Sequence, residues 1–460
     1  MRPPRSVEIP DRHQVDPCVS LPLSGAQRSS FLQRCAVLRT THRQHDDLAR
    51  RAVRVLIPSP GTWGDVAPYL GLGRRLKAAG HEVTLACHAR FEDAVRAHRL
   101  GCRTLPLDPM DFMTSEIGPT PPRSLIREIR RSLLPQIARG ILDASRGGVD
   151  VLLTGLVTHP ICAFVAEGVG ARCLGTYLQP MRSAVRFGLN GVVPGRFRDR
   201  IVEAAVAKSA GLNIAPSLNV LQQDLGLPKQ ATRRALRALR TETVCHGYSP
   251  MMVPPLASSS ARQRTCGYWW PPRPDGWRPD QRLVDFLDSG GKPVFIGFGS
   301  MAMGDAEQLS GLLVQALKKA RLRAVVQSGW LGIHMAGDDV LTVSEVPHDW
   351  LFPRMAAVVH HAGAGTTGAG LKAGVPAVPV PVHFDQFYWA SRLAAMEVAP
   401  APIPRRRLTA DRLADALRAV VDGPVFTQRA RAIASHLAAE DGAAPVLAEL
   451  EQMDSCTASA

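Results

Sequence analysis

No apolar run in this 460-residue chain approaches the roughly 20 residues that a membrane-spanning helix needs, and the mean hydropathy is −0.02. A short apolar core near the N-terminus, as in a secretory signal, is also missing. These two absences lead us to expect a soluble, cytoplasmic protein. Nine cysteines are scattered from Cys18 to Cys456 without a C-x-x-C pair, which argues against a structural zinc site. Several of them stand inside apolar runs, as reduced core thiols do. No D-x-D triplet occurs, so the usual carboxylate pair for holding a divalent metal on a diphosphate is absent, and no metal site is expected. The P-loop pattern G-x-x-x-x-G-K-[ST] does not occur either.

What the chain has in excess is positive charge: 55 Lys and Arg against 40 Asp and Glu, a net +15. The arginines are spread along the whole length without a nucleic-acid motif, so they read as a solvated basic surface rather than a nucleic-acid interface. Residues 1–50 hold Pro3, Pro4, Pro10, Pro17 and Pro22, many polar groups and no sustained period, and are expected to be a disordered extension.

The pattern changes at Val53. Residues 53–58 (VRVLIP) form a short apolar run, 66–79 carry helical spacing that Gly80 stops, 82–87 (EVTLAC) read as a strand and 91–100 as a helix. Strand and helix alternate again through 149–154 and 172–178, which predicts a parallel, doubly wound sheet. A helix over 123–146 has an Ile/Leu stripe and an arginine-bearing remainder, and Pro135 should kink or split it. An ordinary domain helix is the simpler reading of it, with a membrane-surface helix as the alternative. Residues 245–291 lose periodicity, gather prolines and hold the aromatic patch Tyr268-Trp269-Trp270, the composition of a linker. A second series follows, with strands at 293–297, 322–327, 340–346, 356–361 and 377–381. Helices are expected at 306–320, 367–373, 386–396, 409–421 and 426–453, the last broken near Pro445. Two α/β halves joined by a linker leave a cleft, and parallel sheets bind ligands at the carboxyl ends of their strands.

The strongest local signal is His360-His361-Ala362-Gly363-Ala364-Gly365-Thr366-Thr367, which follows a strand and opens a helix. Small residues let a ligand approach the backbone, free N–H groups and the helix end favour a diphosphate, and His361, Thr366 and Thr367 can donate to it. A glycine-rich packing turn is the other physical reading. Gly299 and Ser300, in a second glycine-rich turn after a strand, could face the same diphosphate. Asp385 and Gln386 stand at another strand end, suited to gripping sugar hydroxyls and equally to capping the next helix. In the first half Asp65, in PGTWGD between the first strand and first helix, is a general base or a helix cap. Gly71 and Gly73 lie within the helix rather than before it, which counts against a dinucleotide site there.

The segments PGTWGDVAPYLGLGRRLKAAGHEVTLA, TCGYWWPP, GKPVFIGFGSM, VVQSGW and VPHDWLFPRMAAVVHHAGAGTTGAGLKAGVPAVPVPVHFDQFYWA follow one another from about Val53 onward. Together they resemble the bacterial branch of the nucleotide-sugar glycosyltransferases that includes antibiotic and sterol glycosyltransferases. The resemblance implies an α/β GT-B fold, two Rossmann-like domains facing each other across a cleft. The domains would be an acceptor domain at 51–246, a linker at 247–291 and a nucleotide-sugar domain with C-terminal helices at 292–460. It implies that Asp65 is the acceptor base and that His361, Gly363, Gly365, Thr366, Thr367 and Ser300 lie along the diphosphate. Asp385 and Gln386 would contact the donor sugar. Trp63 stands where the family usually has arginine, and Ala362 where it often has glycine. Glu345 stands where plant relatives carry a base-stacking tryptophan, so that contact is expected from Trp330 or the backbone around Val346.

The implied reaction is a metal-independent, inverting transfer of a sugar to a hydroxyl of a small hydrophobic acceptor, without a cofactor. The co-substrate would be a UDP- or TDP-sugar, UDP-glucose first and a TDP-deoxysugar as the alternative. A sugar-nucleotide epimerase and a non-catalytic sugar-nucleotide-binding helper are the competing classes. Helpers often lose the acid of the first turn, and Asp65 is present here.

Overall fold

A computed structural model describes residues 52–106, 108, 127–180, 213–253, 262–301, 304–335, 337–383 and 385–457. The N-terminal extension expected over 1–50 lies outside the described residues.

The first sheet contains β1 (Arg54–Pro58), β2 (Glu82–His88), β3 (Gly101–Leu105), β4 (Val151–Thr154), β5 (Arg172–Tyr177), β6 (Val244–His246) and β7 (Gln263–Thr265). Their order is β3-β2-β1-β4-β5-β6-β7 and every pair is parallel. Successive side chains of a strand face opposite sides, and β1 shows it directly. Val55 and Ile57 enter one core with Val66, Tyr69, Leu70 and Leu76 of helix α1 (Trp63–Ala78). Leu56 enters another, with Leu134, Ile137 and Ile141 of α3 (Leu134–Ser145) and Ile161 and Phe164 of α4 (His159–Val169). The short α2 (Glu92–Ala97) joins β2 to β3. A sheet covered on both faces needs strands apolar throughout, which is what VLLT of β4 supplies.

The second sheet orders β8 (Val294–Gly297), β9 (Ala324–Gln327), β10 (Val340–Val343), β11 (Val358–His360) and β12 (Ala377–Pro379) as β10-β9-β8-β11-β12, again parallel. Its helices include α6 (Gln281–Asp288), α7 (Ala306–Ala320), α8 (His348–Leu351), α9 (Ala364–Lys372), α10 (Gln386–Ala395), α11 (Ala410–Asp422) and α12 (Pro424–Ala438). The last helix, α13 (Ala444–Thr457), does not stay with this domain: Ala443, Val446 and Leu450 join the core around β1 and α1 of the first.

One detail differs from the sequence expectation, and two expected helix breaks are found. Strands β6 and β7 complete the first sheet inside or beside the stretch read as linker, because three-residue edge strands such as QRT are too short to show a period. Helix α5 (Gln230–Thr241) leads into them. Pro135 splits its helix as expected: a π-helical turn over Ile129–Leu133 gives way to α3 (Leu134–Ser145) at the proline, which cannot donate to the preceding turn. The break expected near Pro445 falls just before it, between Ala438 and Ala444, and Pro445 sits at the start of α13.

The Tyr268-Trp269-Trp270 patch ties the halves together. On an extended chain alternate residues point opposite ways. Trp269 enters the first core and donates its indole N–H to the Gly442 carbonyl at 2.7 Å. Tyr268 and Trp270 turn to the second domain, where Tyr268 packs on Gly368 of α9 and Lys372 lies 4.4 Å from the Trp270 ring centre.

Candidate active site

The carboxyl ends of β1 and β5 build one wall. After β1 the chain turns at Gly61, and Thr62 stands as N-cap of α1. Asp65 is therefore the third helical residue, not the cap. Its Oδ2 reaches back to accept the Thr62 N–H at 2.9 Å and lies 3.4 Å from Thr62 Oγ1, the reciprocal half of a capping box. The end of β5 is tied to the same helix: Tyr69, one turn after Asp65, donates its hydroxyl to the Thr176 carbonyl, and Gln179 follows two residues past the strand. Burial pushes the Asp65 carboxyl above the usual carboxylate range, and the Thr62 bonds hold it back.

The facing wall comes from the second domain. β8 runs into Phe298-Gly299-Ser300-Met301, and β11 into His361-Ala362-Gly363 and the start of α9. The His361 ring folds over Gly363 so closely that a Cβ there would lie 2.4 Å from Nε2, and its Cε1 would be 3.6 Å from a Cβ on Gly299. Gly363, the N-cap of α9, has no side chain to cap the helix, which leaves its first N–H groups for another acceptor. His361 Nδ1 and Thr367 Oγ1 are buried without a protein partner. Thr366 is half-buried and Gly365 exposed on the same first turn. Gly363, Gly365 and Gly368 stand at the spacing G-x-G-x-x-G, and Gly368 is the one that lets α9 pack on Tyr268. Ala362 is held at φ +63°, a conformation glycine adopts at no steric cost.

Around His361 the imidazoles crowd. Burial first, then the neighbouring His383 and His348, lowers His361 to about 4. Burial likewise takes His360 to about 3 and His348 to about 4. All three are neutral at pH 7, and a neutral imidazole still offers one N–H to an acceptor.

Past β12, Asp385 occupies the N-cap of α10 without capping it. Its Oδ2 accepts the Trp389 indole N–H at 2.8 Å instead. Burial raises the Asp385 carboxyl to about 6, and the charge of Asp65 adds to the shift, which places the two carboxylates within electrostatic reach of each other. Gln386 is 4% exposed and its amide is engaged: Oε1 accepts the N–H groups of Val382 and His383 at 2.8 and 3.1 Å, and Nε2 lies 2.9 Å from Met301 Sδ. In this arrangement Gln386 ties the loops after β8 and β12 together.

Trp330 and Glu345 open on a cavity of about 410 Å³ whose other lining residues are Trp63, Arg90, Phe91 and Ala94 of the first domain and Gly329 of the second. The Arg90 guanidinium stands 5.0 Å from the Trp330 ring centre, and Trp63 pairs with Phe91. Val346 is half-buried beside the Phe295–Phe352 core. The residues that sequence reading missed are Gly61, Gln179, Trp389 and Arg90. Gly61 and Trp389 each meet an acid four residues away in the chain, whereas Arg90 meets Trp330 only through the fold.

One group of metal-ligating side chains comes together among the described residues: His159, Cys173 and Glu242, in the first domain. It reads as a hydrogen-bond chain, with His159 Nδ1 2.5 Å from the Tyr177 hydroxyl and Nε2 2.6 Å from Glu242.

Comparison with known proteins gives the class. The model for the glycosyltransferase family 28 N-terminal domain matches residues 55–150, and that for the erythromycin biosynthesis protein CIII-like C-terminal domain matches 327–453. The chain belongs to the nucleotide-sugar glycosyltransferase family of GT-B architecture. An O-mycaminosyltylonolide 6-deoxyallosyltransferase of Streptomyces fradiae is 32% identical over 406 residues, covering 85% of this chain and 95% of the relative. The sterol 3-beta-glucosyltransferase UGT80A2 of Arabidopsis thaliana is 31% identical over 405 residues, covering 84% of this chain. The chain spans 63% of that relative's length and 33% of the length of a Saccharomyces cerevisiae sterol 3-beta-glucosyltransferase. Among solved structures, the kitacinnamycin glycosyltransferase (TM-score 0.63, 20% identity, 88% of this chain and 99% of that one) shares the fold. So does VinC in complex with dTDP (TM-score 0.62, 20% identity, 87% and 99%). Among the described residues no helix is long and apolar enough to cross a membrane.

Proposed function

We propose that the chain transfers a sugar from a nucleoside diphosphate to a hydroxyl of a small hydrophobic acceptor, such as a sterol, phenol or macrolide, with inversion and without a metal. UDP-glucose is the first donor to test. The 32% identity to a deoxyallosyltransferase along 95% of its length favours a TDP-deoxysugar as the second. The observation that carries the reading is the pairing of walls: a carboxylate held at the first turn of α1, and opposite it an imidazole and an uncapped helix start. Asp65 accepts the proton of the acceptor hydroxyl while that oxygen bonds to the anomeric carbon. The bond from that carbon to the diphosphate breaks on the opposite face, and the nucleoside diphosphate leaves with the electron pair. His361, the Thr366 and Thr367 hydroxyls and the N–H groups of α9 meet the charge that builds on it, with Ser300 beside them. Asp385 accepts hydrogen bonds from the donor sugar, and the cavity at Trp330 takes the base. The sequence has no D-x-D pair for a metal, and neutral donors with a helix end serve in its place.

The test is donor turnover with and without acceptor, in EDTA. Product formation should persist in EDTA and require the acceptor. Asp65→Asn should lower kcat by roughly 10²–10⁴-fold, the usual worth of a general base, and leave the thermal shift given by nucleoside diphosphates unchanged. Free sugar released without acceptor would indicate an epimerase or hydrolase, no turnover with any donor a binding helper, and full loss in EDTA restored by magnesium a metal-dependent site.

A further inference from the structure

We infer that His159, Cys173 and Glu242 are the ligands of one divalent ion of the zinc class, at a place in the first domain that shares no residue with the proposed transfer site. The three come from three elements. His159 opens α4, Cys173 is the second residue of β5, and Glu242 directly follows α5. Their ligand atoms all lie within 4.8 Å of one another. A tetrahedral zinc at about 2.0–2.3 Å from each spaces such atoms roughly 3.3–3.6 Å apart, so displacements of about 1 Å close the set. Imidazole, thiolate and carboxylate together are a donor mixture that zinc accepts, whereas magnesium and calcium want oxygen alone. Three protein ligands converge among the described residues, which leaves the fourth position to water.

The surroundings fit that role. Cys173, Gly175 and Tyr177 alternate onto one face of β5. The His159 ring lies over the middle one, where a Cβ on Gly175 would stand 3.3 Å from its Cε1. The ring is fully buried, with Nδ1 2.5 Å from the Tyr177 hydroxyl and Nε2 2.6 Å from Glu242 Oε2. With a proton between Nε2 and Glu242 the pair is a hydrogen bond, and the ion takes that proton's place. Nε2 then gives its lone pair to the metal, and the imidazole proton sits on Nδ1, donated to the Tyr177 oxygen. The Cys173 thiol releases its proton to solvent. A hydrogen-bond partner on the far nitrogen is what fixes the tautomer and orientation of a metal-binding imidazole. Glu242 keeps 31% of its side chain exposed and Cys173 is half-buried, so an ion reaches the site from solvent.

The experiment titrates the full chain, reduced and stripped with a chelator, with cobalt(II) and then with zinc. We expect one cobalt per chain to bind with a thiolate-to-metal absorption band, which zinc displaces and magnesium does not. Cys173→Ser should remove the band. Tyr177→Phe should weaken zinc binding by roughly 10–100-fold, the usual effect of losing the partner behind a metal-binding imidazole. Zinc should raise the melting temperature of the unchanged protein and leave that of Cys173→Ser where it was, since an ion stabilises only the state that binds it. Absence of the band overturns the assignment. So does a band and a zinc shift that survive in Cys173→Ser, or magnesium competing as well as zinc. Should Tyr177→Phe, a buried change, fail to fold, Glu242→Gln at the partly exposed ligand supplies the affinity measurement, and zinc binding as tight as in the unchanged protein would count against the site. All these readouts are absorbance and melting, so the assignment stands or falls separately from sugar transfer.

Discussion

Gly61 has no side chain at the one place where a side chain would strike the proposed base. A Cβ there would stand 2.1 Å from Asp65 Oδ2, well inside contact distance. The colliding atom is the free end of a side chain, so the carboxylate swings away and the backbone keeps its path. Gly61→Ala should thus separate stability from activity. The melting temperature should hold or fall slightly, since the roughly 0.4–1 kcal/mol gained by replacing glycine at a permitted φ is offset by loss of the Asp65 bond to the Thr62 N–H, worth about 0.5–2 kcal/mol. kcat should fall by roughly 10–100-fold as the carboxylate leaves its position. Calorimetry beside a product assay checks both, and an unchanged kcat would show that the orientation of Asp65 does not matter. The contrast between Asp65 and Gln179 also shows what a sequence can carry. Asp65 is legible because its turn, PGTWGD, is contiguous and its neighbours in space are its neighbours in the chain. Gln179 lies 114 positions from Asp65, just past the strand end that α1 reaches across β4 through the Tyr69–Thr176 hydrogen bond. Nothing in the string LGTYLQP marks that glutamine apart from any other polar residue at a strand end.

Helix α1 carries a similar lesson in Gly71 and Gly73, whose G-x-G spacing invites a dinucleotide reading and whose place inside a helix denies it. Their surroundings supply the reason they are glycines. A Cβ on Gly71 would lie 2.4 Å from the Trp270 carbonyl oxygen and 2.5 Å from its carbon, and one on Gly73 would lie 2.8 Å from Leu100 Cδ1. Gly71 is where the helix touches the main chain of the Tyr268-Trp269-Trp270 segment, so the neighbour cannot turn aside. Gly71→Ala gains about 1 kcal/mol of helix propensity but overpacks a rigid contact, a change that costs about 1–3 kcal/mol and occasionally more. We expect a net loss of stability read as a lower urea midpoint, with activity per folded molecule preserved. A midpoint equal to or above that of the unchanged protein would mean the two segments separate easily. At this scale the long apolar strands and amphipathic helices were open to reading, because burial on both faces imposes a run and burial on one imposes a period. The edge strands β6 and β7, three residues each, and the dual allegiance of the aromatic patch were not, because both are fixed by partners far along the chain.

Across the molecule, one buried and two half-buried imidazoles set how stability answers to pH. His348, His360 and His361 lie near the end of β11 and titrate at about 4, 3 and 4 against 6.5 in the unfolded chain, with burial the first cause each time. A group whose pKa is depressed by folding in this way is neutral in both states above pH 6.5. Its stabilising share is therefore complete there and is lost as the pH falls toward the folded value, because only the unfolded chain takes up the proton. For His360, 1% exposed, the loss at pH 5 is about 2 kcal/mol, from 1.36 kcal/mol per unit over the 1.5 units between 6.5 and 5. Asp385 works the other way. Its carboxyl, at about 6 when folded and 3.8 when unfolded, holds a proton in the folded state between those values, so its penalty eases as the pH falls through 6, and Asp65 shifts in the same direction. Three histidines outweigh this opposition, and the melting temperature should fall steadily from pH 7 to pH 5, with net proton uptake on unfolding. His360→Gln, a neutral amide that does not titrate, should flatten that slope whatever it does to the midpoint. A melting temperature that is level or rising over this interval would mean that the imidazoles are hydrated in the folded protein, and that the face offered to a donor diphosphate is wetter and more readily charged than the burial of these side chains implies.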